Sequence, residues 1–447
     1  MDASSKSTNS QNRLQGAYLV NGVRTPFAKA GGQLKDLSGV ELGRFALSEL
    51  IARSGLSVAE IGKLVDEVII GNTGTPSDAA NISRVVALNA GLPEPVSAYT
   101  VHRNCASAME SVAQAALKVD SGHYDVVFAG GTESMSQMPL IYNQVAVNFF
   151  DQMSRAKSTA QKLSLLAKMP IGAFLKPRIA IVEGLTDPFC GINMGGTAEV
   201  LAKEFKISRE EQDQFALASH QKAVSAAERG IYTGEIAPLP IPPKYKETLA
   251  VDAGPRKGQS LEALAKLKPY FDRKHGTVTV GNACPITDGA AMALIANEAG
   301  LKKLGGAQPI AKIIGYAFAG LDPKRMGLGP VYATHKALKQ TGLRLSDMGV
   351  IEINEAFAAQ VIACLMAFDS EKYCQEHFGS SRMGLVDLEN LNPNGGAIAI
   401  GHPVGATGTR IILTAALEMK RRNVQYALAT LCIGGGQGGA VILENID

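Results

Sequence analysis

The chain has 447 residues, a formal net charge of +3, 46% hydrophobic and 19% charged residues, 47 Gly and no Trp. That length buries a large core and predicts more than one domain. The small charge argues against a dedicated nucleic-acid binder and permits anionic small ligands. Six cysteines without a C-x-x-C pair give neither a zinc knuckle nor a disulfide framework, so a reducing compartment and no metal are expected.

The first sixteen residues, MDASSKSTNSQNRLQG, lack an apolar core and carry only Lys6 and Arg13 as basic residues, which predicts no secretory signal. No apolar run approaches the ~20 residues of a membrane span. Asn445-Ile446-Asp447 is no peroxisomal address. The expected location is cytoplasmic, or the mitochondrial matrix in a eukaryote.

Apolar runs alternating with helical-period segments predict an α/β fold. VDEVIIGN (65–72) reads as a buried strand. SAYTVHRN (97–104) reads as another, feeding a helix from about Cys105 to Lys118 with an apolar stripe of Met109, Val112, Ala113, Ala116 and Leu117. YDVVFAGG (124–131) reads as a strand ending at a glycine pair. The region 136–274 is more mixed, with a proline-rich APLPIPPKYK (237–246), and reads as an inserted or covering domain. FDRKHGTVTVGN (271–282) is expected to return the chain to a strand of the first half.

The order then repeats. MGVIEINEAF (348–357) reads as strand and loop, RIILTAALEMKRR (410–422) as helix, and VQYALATLCIGGG (424–436) as strand and glycine turn. The expectation is two duplicated layered α/β halves with an inserted loop domain: 17–135 plus 275–298, then 136–274, then 299–447. Cys105 and His402 would occupy equivalent loops, at the sheet edge where such folds place their sites.

Free cysteines are often inert core residues. Cys105, however, stands at an apparent strand-to-helix turn, where unpaired N–H groups and the helix dipole favour thiolate. Ala106, Ser107 and Ala108 leave that turn uncrowded. His402, between Gly401 and Pro403, is expected in an open loop as a base or an oxyanion donor. Cys432 precedes three glycines, of which Gly434 has an N–H suited to an oxyanion. Asn354 could position a water or a substrate carbonyl; the bland reading of Asn354-Glu355 is a helix cap followed by a solvated acid. The remaining cysteines and histidines read as structural or surface residues. His102, on a strand three residues before Cys105, reads as non-catalytic. Gly434-x-Gly436-x-x-Gly439 matches the dinucleotide fingerprint, but AVILENID after it reads as a final strand, not the required helix, so NAD is rejected.

VRTPFAKAGG, NCASAMES, AGGTESMS, GLTDPFCGINMG, MGLGP, NEAFAAQ, GGAIAIGHPVGATG and LATLCIGGGQGG, in this order, resemble the thiolase family over nearly the whole chain. The resemblance implies an acyltransferase that cleaves 3-ketoacyl-CoA or, in reverse, condenses two acetyl-CoA. Coenzyme A would be a co-substrate, with no permanently bound cofactor. It implies Cys105 as nucleophile, His402 as its base and oxyanion donor, Asn354 holding a water, and Cys432 as second acid/base. Gly434 and Cys105 N–H groups would form the second oxyanion hole. Met194, Met326, Phe357 and Cys284 (where many relatives have Ser) would contact pantetheine, and Arg256 the adenosine phosphate. A decarboxylating or hydroxymethylglutaryl-type condensing enzyme lacks the late cysteine, and a non-catalytic scaffold would not need all four reactive residues. A homodimer or homotetramer is implied.

The segment between Met138 and Gly184 is longer than in short biosynthetic thiolases and resembles that of thiolases from fatty-acid oxidation complexes. Within it, Phe149, Met153, Ala156, Ala160, Leu163 and Ala167 recur at helical spacing, and over 151–178 Arg155, Lys157, Lys162, Lys168, Lys176 and Arg178 are opposed only by Asp151. Two readings stand: a covering helix with a solvated basic face, or a surface meeting anionic lipid weakly or an acidic subunit of an oxidation complex.

Overall fold

A computed structural model describes residues 13–446, so most of the N-terminal stretch and the final aspartate read for targeting lie outside the described residues. Ten strands form one mixed sheet. They are β1 (Tyr18–Arg24), β2 (Ala28–Lys29), β3 (Glu67–Gly71), β4 (Ser97–Val101), β5 (Val126–Ser134), β6 (Thr287–Ala296), β7 (Ala311–Gly320), β8 (Met348–Ile353), β9 (Tyr426–Ile433) and β10 (Gln437–Glu444). The strand order is β8-β9-β10-β7-β1-β6-β5-β3-β4, with β2 beside β6.

The duplication is visible in that order. β3-β5-β6-β1 in the first half matches β8-β9-β10-β7 in the second. In each half the first pair is parallel and the later pairs are antiparallel. Where β4 flanks β3, an isolated parallel bridge, Ile351–Leu391, flanks β8. Within the sheet the halves pair through β1 and β7, with Tyr18 opposite Lys312 and Leu19 opposite Ala311.

Strand alternation explains the layering. Val127 and Ala129 of β5 and Ala427, Ala429 and Leu431 of β9 face a shared core around two helices, α1 (Ser107–Asp120) and α2 (Thr407–Arg422). The intervening residues, such as Val126 and Phe128 in one half and Leu428 in the other, face separate outer cores covered by other helices. The two central helices cross closely because a Cβ on Gly408 would lie 2.2 Å from the Met109 nitrogen. The duplicated α/β fold expected from the sequence is therefore present.

Two local expectations fail. Residues 271–282 form no strand; the chain rejoins the sheet only at Thr287. The N–H groups of Thr277 and Val278 donate to Glu199, and that of Thr279 to Asn282, so these donors are spent on side chains rather than on a neighbouring strand. The apolar repeat across 149–167 does not make one helix. Gln144–Arg155 stops at Ala156, whose ψ of 118° is extended, and Thr159–Ala167 restarts behind a Ser158–Gln161 capping box. A third short helix, Ile171–Phe174, follows Pro170. Of the six repeating residues only Phe149 is buried.

Candidate active site

Asn72, Cys105, Glu133, Asn354 and Cys432 all stand at or just beyond the carboxyl ends of the parallel strands β3, β4, β5, β8 and β9, the edge where open α/β sheets gather ligands. Cys105 follows β4 by a tight turn through Asn104, whose φ of 45° is a conformation asparagine tolerates. The Ser107 hydroxyl closes that turn, accepting from Arg103 N–H at 2.9 Å and donating to Asn104 O at 2.7 Å. Asn104 also ties the turn to the other half of the molecule, its Nδ2 donating to Gly434 O at 2.7 Å.

A cavity of about 790 Å³ opens above the half-buried Cys105, walled in part by Asn104, His102, Met194, Val404 and Gly434. Burial raises the Cys105 thiol above its ordinary pKa; N–H groups of Gly434 and of Cys105 itself act in the opposite direction on the sulfur, while Glu133 raises it further. The sequence expectation of a helix-stabilised thiolate is corrected here. The helix begins at Ser107, behind an Ala106 cap, so Cys105 precedes its first turn, and burial is the largest influence on the thiol. The resting group is a thiol and needs a base.

His402 is buried, its N–H bonded to Thr287 Oγ1 at 3.1 Å. The loop is packed rather than open: a Cβ on Gly401, which has φ 111°, would meet Thr287 at 2.6 Å. Burial first, and Arg410 second, push the imidazole down to about 3, so it is neutral. Its Nδ1 lies 2.7 Å from Thr407 Oγ1, and that hydroxyl lies 3.0 Å from Pro403 O. When the single hydroxyl proton goes to Pro403 O, Nδ1–H donates to Thr407 and Nε2 keeps its lone pair. Nε2 is buried and, among the described residues, no protein group hydrogen-bonds it; the same holds for both polar atoms of the Asn354 amide. Buried polar atoms without protein partners are expected where a substrate oxygen or water is held.

Cys432 is buried, and its thiol is raised well above the ordinary value, by burial first and then by Cys105, Cys364 and Cys284. It packs in one apolar cluster with Met326, Phe357, Met194 and Cys284. The 354–358 segment reaches that cluster by pairing with 282–284, through Ala358 N–H to Asn282 O at 2.9 Å and Cys284 N–H to Ala356 O at 3.0 Å. Burial pushes the Cys284 thiol up to about 12. Arg256 is exposed and does not line the Cys105 cavity; its backbone N–H bonds His220 Nδ1 at 3.3 Å.

Sequence reasoning missed several contributors. His102, read as non-catalytic, lines the cavity. Glu355, read as solvated, is buried and accepts from Ser219 at 2.6 Å and Asn392 at 2.9 Å, clamping the loop that leads to His402. Thr407 had a usable signal, a hydroxyl just beyond the histidine in GHPVGAT. Glu133, held by Asn72, Thr73 and Gly74, had none, because its partners lie about sixty residues away.

The sequence model of the thiolase N-terminal domain matches residues 17–299, and that of the thiolase C-terminal domain matches 307–445. The chain belongs to the thiolase family. A 3-ketoacyl-CoA thiolase of Yersinia pestis (strain Pestoides F) is 40% identical over 428 residues, spanning 95% of this chain and 96% of that protein. The crystal structure of human mitochondrial 3-ketoacyl-CoA thiolase in complex with CoA superposes with a TM-score of 0.83 at 37% identity, over 98% of this chain and 100% of that one. The Bacillus anthracis acetyl-CoA acetyltransferase superposes at 0.82 and 37% identity, with the same shares. The chain is thus a thiolase, an acyltransferase by class.

Proposed function

We propose that this thiolase cleaves 3-ketoacyl-CoA with CoA, through an acyl thioester on Cys105, to give acetyl-CoA and a shortened acyl-CoA. The observation that carries the reading is the Cys105 sulfur set beside its own N–H and that of Gly434, with the buried Cys432 near enough for Cys105 to raise its thiol further. In the proposed sequence His402 Nε2 takes the Cys105 proton and the thiolate attacks the keto carbon. The Cys105 and Gly434 N–H groups hold the resulting alkoxide. The bond between the α and keto carbons breaks, and the electron pair passes into the thioester enolate, whose oxygen is met by protonated His402 and a water held by Asn354. Cys432 protonates the α carbon and acetyl-CoA departs. The Cys432 thiolate then takes the proton of incoming CoA, whose sulfur attacks the acyl group and displaces Cys105, which recovers its proton from His402.

The same steps run backwards condense two acetyl-CoA, so a biosynthetic role uses the same groups. Met194, Met326, Phe357 and Cys284 are assigned to pantetheine, on their shared cluster around Cys432. Exposed Arg256 is assigned to the adenosine phosphate. The division into 17–135 with 275–298, 136–274, and 299–447 is kept as the functional one. A homodimer or homotetramer is supported by β4, the strand at one edge of the sheet, whose residues are partly exposed.

The 140–182 region exposes Leu140, Tyr142, Phe150, Leu163, Ile171 and Leu175 together with the basic residues between 155 and 178. Apolar tips among cations fit weak, salt-sensitive contact with an anionic lipid surface. Sedimentation with anionic vesicles tests it: no binding at low salt removes the lipid reading. Capture of a hydratase/dehydrogenase subunit would instead favour membership of an oxidation complex. The function itself is tested by thiolysis of a 3-ketoacyl-CoA series. Absence of CoA-dependent cleavage at every chain length refutes it.

A further inference from the structure

Among the described residues, both polar atoms of the buried Asn354 amide lack a protein partner, so this group is aimed by its backbone and not by a side-chain bond. On one side β9 fixes that backbone, through Asn354 N–H to Thr430 O at 3.0 Å. On the other side stands one side chain, that of Asn392. Its Oδ1 accepts from Ile353 N–H at 2.8 Å, and its Nδ2 donates to Ile353 O and to Glu355 Oε1, each at 2.9 Å. A single amide thus grips both chain neighbours of Asn354. Resting on the thiolase reading above, we infer that Asn392 is a positioning residue for carbon–carbon cleavage: through Ile353 and Glu355 it holds Asn354 where its amide meets the water on the enolate oxygen.

The duplicated fold shows why a side chain is needed there. In the first half β4 pairs with β3 along its whole length, from Glu67–Ser97 to Gly71–Val101. In the second half the segment beside β8 pairs around Ile351, whose N–H donates to Asn390 O at 2.8 Å and whose carbonyl accepts from Asn392 N–H at 2.9 Å. Asn392 then turns the chain away with a φ of 40°, and its own carbonyl accepts from Gly395 N–H at 3.0 Å. Past that point no strand continues the pairing among the described residues. The Asn392 amide gives Ile353 the acceptor and the donor that a longer strand would have offered. Its orientation admits no exchange of oxygen and nitrogen: turned over, Nδ2 would face the Ile353 N–H and Oδ1 the Ile353 carbonyl. Asn392 is 2% exposed, so water does not readily replace it. Glu355 has further anchors, its Oε2 accepting from Ser219 Oγ at 2.6 Å and from Ile398 N–H at 3.2 Å. The loop that leads to His402 therefore keeps its clamp when the Asn392 side chain is removed.

Two reactions of the same enzyme separate this role from a general structural one. Exchange of labelled CoA into acetyl-CoA uses Cys105, His402 and Cys432 but forms no enolate, whereas thiolysis of a 3-ketoacyl-CoA must hold the enolate oxygen. Asn392→Gly suits a φ of 40° and removes only the side chain. Misplacing an interacting group by about 1 Å costs on the order of 10²-fold, so kcat for thiolysis should fall roughly tenfold or more, with KM and the exchange rate within about threefold of wild type. Asn354→Ala should show the same split. The double variant should lie within about threefold of Asn354→Ala alone, because both changes remove one function. Asn392→Asp keeps the shape and the acceptor for Ile353 N–H but loses both donors; it should show the same split, and it stands in if the glycine variant fails to fold. Equal losses in exchange and thiolysis, additive losses in the double variant, unchanged thiolysis, or failure of both Asn392 variants to fold would overturn the proposal. Failure of the thiolase reading is distinct, since the wild-type protein would then cleave no 3-ketoacyl-CoA.

Discussion

Replacing Thr407 by Val removes one oxygen from beneath His402 while keeping the β-branched shape. The hydroxyl's other bond, to Pro403 O, is dispensable: that carbonyl also accepts from Ala406 N–H at 2.9 Å and Thr407 N–H at 3.0 Å. What is lost is the acceptor for Nδ1–H at 2.7 Å. The ring is 5% exposed, so water does not readily replace the oxygen. Either Nδ1–H stays unpaired, or the proton moves to Nε2 and removes the lone pair that the Cys105 thiol needs. An unpaired buried donor costs about 1–3 kcal/mol, which corresponds to a drop of roughly 5- to 150-fold in the acylation rate. Single-turnover acylation by a 3-ketoacyl-CoA, with Thr407→Ser alongside, measures it. The serine variant should recover most of the rate, because it restores the hydroxyl. A valine variant within twofold of wild type would refute the assignment of Thr407 as the group that fixes the His402 tautomer.

Because burial holds His402 at about 3, its base form persists throughout pH 5–9. The pH profile of kcat/KM should show no fall centred near 6.5, and such a fall, lost in a His402 variant, would contradict the reading. Cys432→Ala should still accept an acyl group on Cys105 but lose carbon–carbon bond formation and cleavage; retained Claisen condensation would remove Cys432 as the second acid/base. Arg24 is fully buried, its Nη1 2.6 Å from Asp252 and its Nε 2.7 Å from Glu235. Arg24→Met strands two buried carboxylates and should cost about 3–5 kcal/mol in urea unfolding; a loss below about 1 kcal/mol would show that the core readily relaxes around them.

The elements legible in the sequence were those whose signal is local. The 65–72, 97–104 and 348–357 strands and the helix behind GHPVGATG are periodic over short spans and bounded by glycine or polar residues, and the structure places each within a few residues. The strand read at 124–131 runs on through its glycine pair to Ser134. Small residues there permit close packing between the halves: a Cβ on Gly131 would lie 1.8 Å from Gly405 O. Residues 271–282 misled because TVTV alternates like a strand, while Glu199, 78 residues before Thr277, claims its N–H groups. The burial that turns Cys105 from the expected thiolate into a thiol, and that seats Glu355 under its loop, arises from packing of distant segments and leaves no local mark.

The most direct test of the central claim is to map the acyl group. Cys432→Ala protein mixed with isotopically labelled acetyl-CoA, quenched in acid and digested, should carry the label as a thioester on the peptide containing Cys105. Hydroxylamine should release it, and a Cys105→Ala, Cys432→Ala double variant should carry none. Label on any other cysteine, or equal labelling of the double variant, would contradict the account.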